Sequence, residues 1–277
     1  MNDVAMKGAG ESAPNGRVLL EMRDNVAVMT LNDPSVLNAF GFKLRHDMSW
    51  ALDQVESSGA RCLMITGAGR AFCSGANLND PDRPPRDRAA EARGEVKSDL
   101  EAWYNPTFIR LRDLAMPIVT AVNGIAAGAG MSLALMGDIR IAANSASFLQ
   151  AFARIGLVPD CGSSYILPRM IGMARAMELS MLAERLPAET ALAWGMINRV
   201  VDDPELPGQA MAMARGLADG PASLCLIRKM YWASLENSYE QQLDLEAKYQ
   251  IQAGMTEDYT EGVTAFREKR RTRFTGR

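Results

Sequence analysis

The chain has 277 residues, of which 48% are hydrophobic and 23% are charged, and its net charge is −3 at pH 7. This length can bury the core of one large domain with an appendage, and the composition is that of an ordinary globular protein. The weak negative charge argues against a nucleic-acid partner, and no apolar run approaches the length of a membrane span.

The rare side chains narrow the chemistry further. Four widely spaced cysteines without a CxxC pair predict reduced thiols and a cytoplasmic protein. The single histidine, His46, disfavours a Ser-His-Asp hydrolase or a metal site built from several histidines. His46 stands beside Asp47 on the polar side of a helical pattern, which predicts a surface position.

In chain order, the N-terminal third predicts a tail, a hairpin and a helix. Residues 1–14, rich in Gly, Ala and Ser, are typical of a disordered tail. Residues 17–32 carry two strand-like runs around an Arg-Asp-Asn turn, a pattern that predicts a β-hairpin. Apolar residues at helical spacing over 42–59, ending at Gly59, predict a helix.

The rest of the chain alternates short apolar runs with helical stretches. Residues 61–67, 117–124 and 138–143 predict strands, and their separation by helices indicates an α/β architecture with parallel pairing. More than half of residues 80–101 are charged, which predicts a solvated loop passing into a helix. From residue 221 onward the pattern is helical and is typical of a region that packs on another subunit.

Two glycine-rich turns follow strands and are candidate ligand sites. One spans Thr66–Asp80, and the other, Ala121–Asp138, leads into a helix whose first amides could hold an anion. The second turn fails the GxGxxG dinucleotide pattern because Leu133 occupies the third glycine position, and no Walker A pattern is present. The glycines could serve close packing alone, but the two turns together favour a pair of amides that hold one oxyanion.

Several motifs in the right order resemble the crotonase (enoyl-CoA hydratase/isomerase) superfamily, over residues 17–271. They are LNAF (37–40), GRAFCSGANL (69–78), PIVTAVNGIAAGAGMSLALMGDIRIAA (117–143), GLVPDCG (156–162), AWGMINRVV (193–201) and FREKRR (266–271). The resemblance implies an α/β spiral of ββα units over residues 15–206 and a helical trimerisation region over 207–277. It also implies a trimer, or a hexamer of two trimers.

By motif match, the resemblance assigns an acyl-CoA site. The backbone N–H groups of Ala76 and Ala129 would hold the thioester oxygen. The other residues that it places against the substrate are Arg70, Ala71, Phe72, Ser74, Gly75, Asn77, Leu78, Gly128, Ser132, Phe152 and Lys269, with Lys269 reaching CoA phosphates from a neighbouring subunit. No metal or redox cofactor is implied, since coenzyme A is part of the substrate.

Departures from the family pattern bear on the reaction. Ser132 and Phe152 stand where the family's hydratases carry two glutamates, so adding water has no evident acid or base. Asp160 stands where some isomerases, including ring-opening isomerases of phenylacetate degradation, carry one acid–base aspartate. One carboxylate can move a proton from C2 to C4. The sequence therefore predicts an enoyl-CoA isomerase, with Phe152 and the methionines forming a dry wall around Asp160.

Other interpretations stay open at this point. Asp160 could be a plain turn residue, Cys161 a small spacer, Ser132 a structural serine, and Trp103 and Tyr104 either acyl-pocket or core residues. The protein could be a hydratase, as its family name suggests, or a non-catalytic acyl-CoA binder. It could also be a dehalogenase or hydrolase with an aspartate nucleophile, although that branch needs a histidine near residues 103–108.

Overall fold

The computed structural model describes residues 11–277. Its strands are β1 (Glu11–Ser12), β2 (Val18–Arg23), β3 (Val26–Leu31), β4 (Cys62–Gly67), β5 (Ala71–Cys73), β6 (Ile118–Val122), β7 (Ile125–Ala127), β8 (Ile139–Ala143), β9 (Ser147–Leu149), β10 (Arg185–Pro187) and β11 (Arg199–Val201). Its α-helices are α1 (Phe42–Ser57), α2 (Arg88–Ala92), α3 (Asn105–Asp113), α4 (Ala129–Leu135), α5 (Ser163–Ile171), α6 (Met173–Leu182), α7 (Ala188–Ala193), α8 (Leu206–Ala218), α9 (Ser223–Ser234), α10 (Tyr239–Gly254) and α11 (Glu257–Glu268).

The prediction of a disordered tail over residues 1–14 is wrong for the last residues of that range. Residues 1–10 lie outside the described range, but Glu11–Ser12 forms β1 and pairs with β2. Just beyond it, the carboxylate of Asp47 accepts from the N–H of Asn15 at 3.0 Å and from that of Arg17 at 2.7 Å. Asp47 is therefore a buried anchor, whereas its neighbour His46 is exposed as predicted.

The predicted hairpin and first helix are confirmed. β2 and β3 pair antiparallel around a tight turn, in which Asp24 takes the left-handed conformation at φ 58°. α1 buries an apolar face because its large apolar residues recur at helical spacing and lie over the hairpin. Gly59, with φ 73°, follows the end of α1.

Two sheets carry the predicted spiral of ββα units. The larger has the order β1-β2-β3-β4-β6-β8-β11 and is parallel from β3 onward. The smaller has the order β10-β9-β7-β5. The pairs β4/β5, β6/β7 and β8/β9 each place their first strand in the larger sheet and their second in the smaller one. This alternation brings the ends of β5 and β7, and the glycine-rich turns that follow them, side by side.

The predicted boundary at residue 206 falls where α8 begins. α8 packs on β4 and β6 of the larger sheet, and its buried face belongs to the same hydrophobic core as the strands. The first helix of the region assigned to trimerisation is therefore also part of the core packing.

Arg228 of α9 links the C-terminal helices to the core. The Arg228 guanidinium is 5% exposed and pairs with Asp138 at 2.7 Å. It also donates to the carbonyl oxygens of Leu111 and Leu114 at the end of α3. α10 then packs on α9, and α11 packs on α10. No helix of residues 11–277 is long and apolar enough to cross a membrane.

Candidate active site

A cavity of about 510 Å³ opens where the two glycine-rich turns meet. A Cβ atom on Gly75 would lie 2.7 Å from the carbonyl oxygen of Ala127 and 3.5 Å from the backbone nitrogen of Ala129. The turns are therefore in direct backbone contact. Most residues of the predicted site line this cavity: Ser74, Gly75, Ala76, Asn77, Leu78, Gly128, Ala129, Phe152 and Asp160.

The first candidate oxyanion donor is the amide of Ala76. Ala76 forms an isolated parallel bridge with Phe40. In this bridge the Phe40 N–H donates to Gly75 O at 2.7 Å, and the Asn77 N–H donates to Phe40 O at 3.2 Å. Because successive amides of an extended strand point in opposite directions, the Ala76 N–H points away from its strand partner. It finds no acceptor within the described range.

The second candidate donor is the amide of Ala129, the first residue of α4. The hydrogen-bond ladder of α4 begins with the Ser132 N–H, which donates to Gly128 O at 3.1 Å. The Ala129 N–H precedes this ladder and is one of the donors that a helix leaves free at its start. Ala76 and Ala129 both line the cavity, and neither amide has a backbone acceptor among residues 11–277, so both are available to a ligand.

Asp160 enters the same cavity from the turn before α5. Its side chain is half-buried, and its Oδ1 atom is inaccessible to solvent without a hydrogen-bond partner among residues 11–277. Burial raises the pKa of Asp160 above its ordinary value, and a hydrogen bond from the Cys161 thiol partly offsets this rise. A plain turn residue would be solvated or would cap a backbone amide, so the geometry favours a functional carboxylate.

Cys161 is itself a poor nucleophile. Its side chain is 3% exposed, and burial, followed by the charge of Asp160, raises the pKa of its thiol. A protonated thiol can donate to Asp160 but does not attack substrates. This fits the interpretation of Cys161 as a small spacer.

The cavity wall is apolar, but it is not built from methionine. Phe152 is 6% exposed and lies beside Gly128, as predicted. Apart from alanines, the other apolar lining residues of the described chain are aromatic or branched: Phe40, Leu78, Leu100, Tyr104, Ile125, Leu149, Ile155 and Leu157. The predicted methionine wall is wrong, because buried methionines such as Met29, Met48 and Met131 pack in the core.

Tyr104 is the main side chain that the sequence left undecided. It is 7% exposed and lines the cavity, whereas Trp103 donates to Arg45 O at 3.0 Å and packs outside the lining. Burial raises the pKa of the Tyr104 hydroxyl, with a minor contribution from Asp160. The hydroxyl therefore stays protonated, and it has no partner in the part of the chain that the structure describes.

The mouth of the cavity is charged. Asp99 pairs with Arg83 at 2.7 Å and with Arg45 at 3.4 Å, and Asp80 accepts from the Phe42 N–H at 2.5 Å. Further arginines in the lining are Arg86, Arg88 and Arg154. The loop over residues 80–101, predicted to be solvated, thus supplies part of the site. Its arginines could have indicated this role, but counting all charged residues together did not distinguish them.

Five predicted site residues lie outside the lining within residues 11–277. Ala71 and Phe72 form β5 and are 1% and 0% exposed, so their side chains belong to the interior. Ser132 is 0% exposed and donates to the Asp160 main-chain oxygen at 3.1 Å, so its hydroxyl serves the main chain and does not line the cavity. Arg70 is exposed, and Lys269 follows the end of α11.

Comparisons with known proteins identify the family of this chain. Residues 21–277 match the family model described as enoyl-CoA hydratase/isomerase. The chain is 46% identical to the 1,2-epoxyphenylacetyl-CoA isomerase of Escherichia coli, over 94% of this chain and 98% of that one. It is 43% identical to a Rhodobacter capsulatus protein named probable enoyl-CoA hydratase, over 93% and 97% of the two chains. A crystal structure of an enoyl-CoA hydratase from Bacillus anthracis superimposes with a TM-score of 0.85 at 28% identity, over 94% and 100%.

The ββα spiral and the family match together define an enzyme of the crotonase class. The chain belongs to the enoyl-CoA hydratase/isomerase family, which is that class. It is an enzyme with an activity of the isomerase or hydratase type found in this family.

Proposed function

We propose that this enzyme is an enoyl-CoA isomerase that moves a double bond along an acyl-CoA thioester, with Asp160 carrying the proton. The observation that supports this most directly is the unpartnered Oδ1 of Asp160 in the same cavity as Ala76 and Ala129. An acid in this position can take a proton from substrate carbon, while the amides stabilise the charge that forms on the thioester oxygen.

The reaction needs no other reactant. Asp160 takes the proton from C2, and the electron pair of that C–H bond spreads into the carbonyl and the C3–C4 double bond as a dienolate. The amides of Ala76 and Ala129 donate to the oxygen, and each such donor contributes about 3 kcal/mol to stabilising the charge. Asp160 then returns the proton to C4, leaving a C2–C3 double bond. Metal and redox cofactors have no part in this proposal.

The electrostatic setting of Asp160 suits a base. A carboxylate in its ordinary pKa range is too weak to remove a carbon-bound proton efficiently, and base strength rises with pKa. Burial raises the pKa of Asp160, and the apolar side chain of Phe152 lines the cavity with it. The same exclusion of water strengthens the interaction between the amides and the oxyanion.

A hydratase reaction has little support from the site. The two positions at which the family's hydratases carry glutamates hold Phe152, an apolar wall residue, and Ser132, whose hydroxyl is used by the Asp160 backbone. Neither can deprotonate a water molecule. The dehalogenase alternative also lacks its histidine, because His46 is exposed on α1.

A second candidate substrate comes from the 46% identical relative, which is named for 1,2-epoxyphenylacetyl-CoA. The aromatic rings of Phe40, Tyr104 and Phe152 in the lining favour a ring-bearing acyl group. This substrate would use the same two amides and the same carboxylate, but the reaction would differ, because a C–O bond of the epoxide ring must break instead of a double bond moving along the chain.

The CoA moiety and the assembly belong to the same proposal. Arg83, Arg86 and Arg88 at the cavity mouth suit the CoA phosphates.

We propose a homotrimer or a dimer of trimers, because the C-terminal helices expose large apolar side chains such as Tyr231, Ile251 and Phe266. Lys269 would then reach CoA on a neighbouring subunit. Sedimentation of the purified protein tests the trimer, and a monomer would refute it.

The decisive experiment supplies a 3-enoyl-CoA and, separately, 1,2-epoxyphenylacetyl-CoA to wild type and Asp160→Asn. We expect conjugated product from wild type and a loss of about 10³-fold in the variant, with CoA-ester binding retained. The asparagine variant should be at least as thermally stable, since burial disfavours the charge that it removes. Equal rates for the two proteins would refute the proposal, and binding without turnover of either ester would favour the non-catalytic binder.

A further inference from the structure

The main-chain carbonyl of Asp160 is held by three donors. The Ser132 hydroxyl donates to it at 3.1 Å, the Ser163 hydroxyl at 2.9 Å and the Ser163 N–H at 3.1 Å. Both serines are 0% exposed, so water does not compete for these bonds. The two bonds from Ser163 are local, whereas the bond from Ser132 comes from another element, α4.

The turn held in this way is conformationally demanding. Cys161 and Gly162 follow Asp160 with φ values of 53° and 77°, two consecutive left-handed residues. This conformation is unfavourable for cysteine and persists only where surrounding contacts impose it. The direction in which the Asp160 side chain leaves the backbone therefore depends on contacts outside the turn, and Ser132 provides one.

Ser132 also belongs to the element that carries an oxyanion donor. It lies three residues after Ala129 on α4, and its hydroxyl is 3.4 Å from Gly128 O, the residue before Ala129. One buried hydroxyl thus joins the start of α4, where the Ala129 amide lies, to the backbone of the proton carrier.

We propose that Ser132 is a positioning residue that fixes Asp160 relative to the oxyanion amides, an inference that rests on the proposed function. Proton transfer from C2 requires the carboxylate at a defined distance from a substrate whose carbonyl is held by Ala76 and Ala129. A misplacement of about 1 Å can lower the rate about 10²-fold. Ser132 acts on this distance without touching the substrate.

The test compares Ser132→Ala with Thr120→Val. The Thr120 hydroxyl is also fully buried and donates to a carbonyl of α4, Ala134 O, at 2.9 Å, but it does not contact Asp160. Both variants lose one buried hydroxyl-to-carbonyl bond of the same helix, so their melting temperatures should fall by similar amounts. We expect kcat to fall 10- to 100-fold in Ser132→Ala and less than threefold in Thr120→Val, with KM unchanged in both.

Two further variants make the outcome unambiguous. Ser132→Thr keeps the hydroxyl and should recover kcat to within about threefold of wild type, even if Ser132→Ala folds poorly. Asp160→Asn in the same assay separates the two claims, because its full activity would refute the proposed function itself. If Asp160→Asn is inactive while Ser132→Ala and Thr120→Val have the same kcat, the positioning role is refuted and the proposed function stands.

Discussion

Replacing Ala129 with proline should remove one oxyanion donor while leaving the helix intact. Proline lacks an N–H group and is well accepted at the first position of a helix, which is where Ala129 lies in α4. Gly128, the preceding residue, has φ 51° and ψ −127°. This is the mirror image of the extended conformation that a residue before proline prefers, and glycine adopts both equally well.

The expected loss follows from the number of donors. In the proposed site two amides, those of Ala76 and Ala129, hold the thioester oxygen, and loss of one such donor costs about 3–4 kcal/mol of transition-state stabilisation. At about 1.4 kcal/mol per factor of ten, this lowers kcat/KM about 10²- to 10³-fold. Binding of free CoA, which has no thioester carbonyl, should not change.

The assay is the same conversion of 3-enoyl-CoA to conjugated product, and Ala129→Gly is the matched control. Glycine removes the methyl group of Ala129, whose Cβ proline retains in its ring, but keeps the N–H, so its kcat/KM should stay within a few-fold of wild type. If Ala129→Pro is folded, binds CoA normally and has the same kcat/KM as Ala129→Gly, the Ala129 amide is not an oxyanion donor.

Three further predictions concern other parts of the molecule. Since the Cys161 thiol lowers the pKa of Asp160, Cys161→Ala should raise that pKa and move the acidic limb of the kcat/KM profile to higher pH; an unmoved limb contradicts the assignment. If Asp160 carries the proton alone, Tyr104→Phe should lower kcat less than about tenfold, and a loss as large as that of Asp160→Asn would make Tyr104 a second proton carrier. Arg228→Ala should reduce the free energy of unfolding by about 3 kcal/mol, because it leaves the partly buried Asp138 carboxylate without its cation and several buried carbonyls without their donor. Arg112→Ala, which breaks an exposed ion pair, should cost under about 1 kcal/mol in the same denaturant titration.

Local patterns predicted the parts of this fold that local forces determine. The hairpin of β2 and β3, the helix α1 and the apolar strands β4, β6 and β8 each follow from a period of two or 3.6 residues or from an unbroken apolar run. The two glycine-rich turns indicated a pair of exposed amides, and only the family resemblance assigned them to Ala76 and Ala129.

Other features depend on contacts between distant residues and had no local signal. The Ser132 hydroxyl donates to a carbonyl 28 positions away, so its position in the helix alone did not show which group it contacts. Ala71 and Phe72 became interior residues because β5 pairs with β7, which a turn motif does not reveal. The methionines belong to the core because the spiral encloses them, and the arginines of residues 80–101 line the cavity mouth because their loop folds over it.

The contact between Gly75 and the turn before α4 has a consequence for how the acyl preference of this enzyme can be altered by mutation. The distance between the Ala76 and Ala129 amides is set by contact between the main chains of the two turns. Replacing the side chains at positions 104 or 152 should therefore alter the shape of the cavity without moving these amides. A library restricted to such wall positions should therefore yield altered acyl preference at little cost in turnover, whereas any side chain larger than hydrogen at position 75 would force the two turns apart.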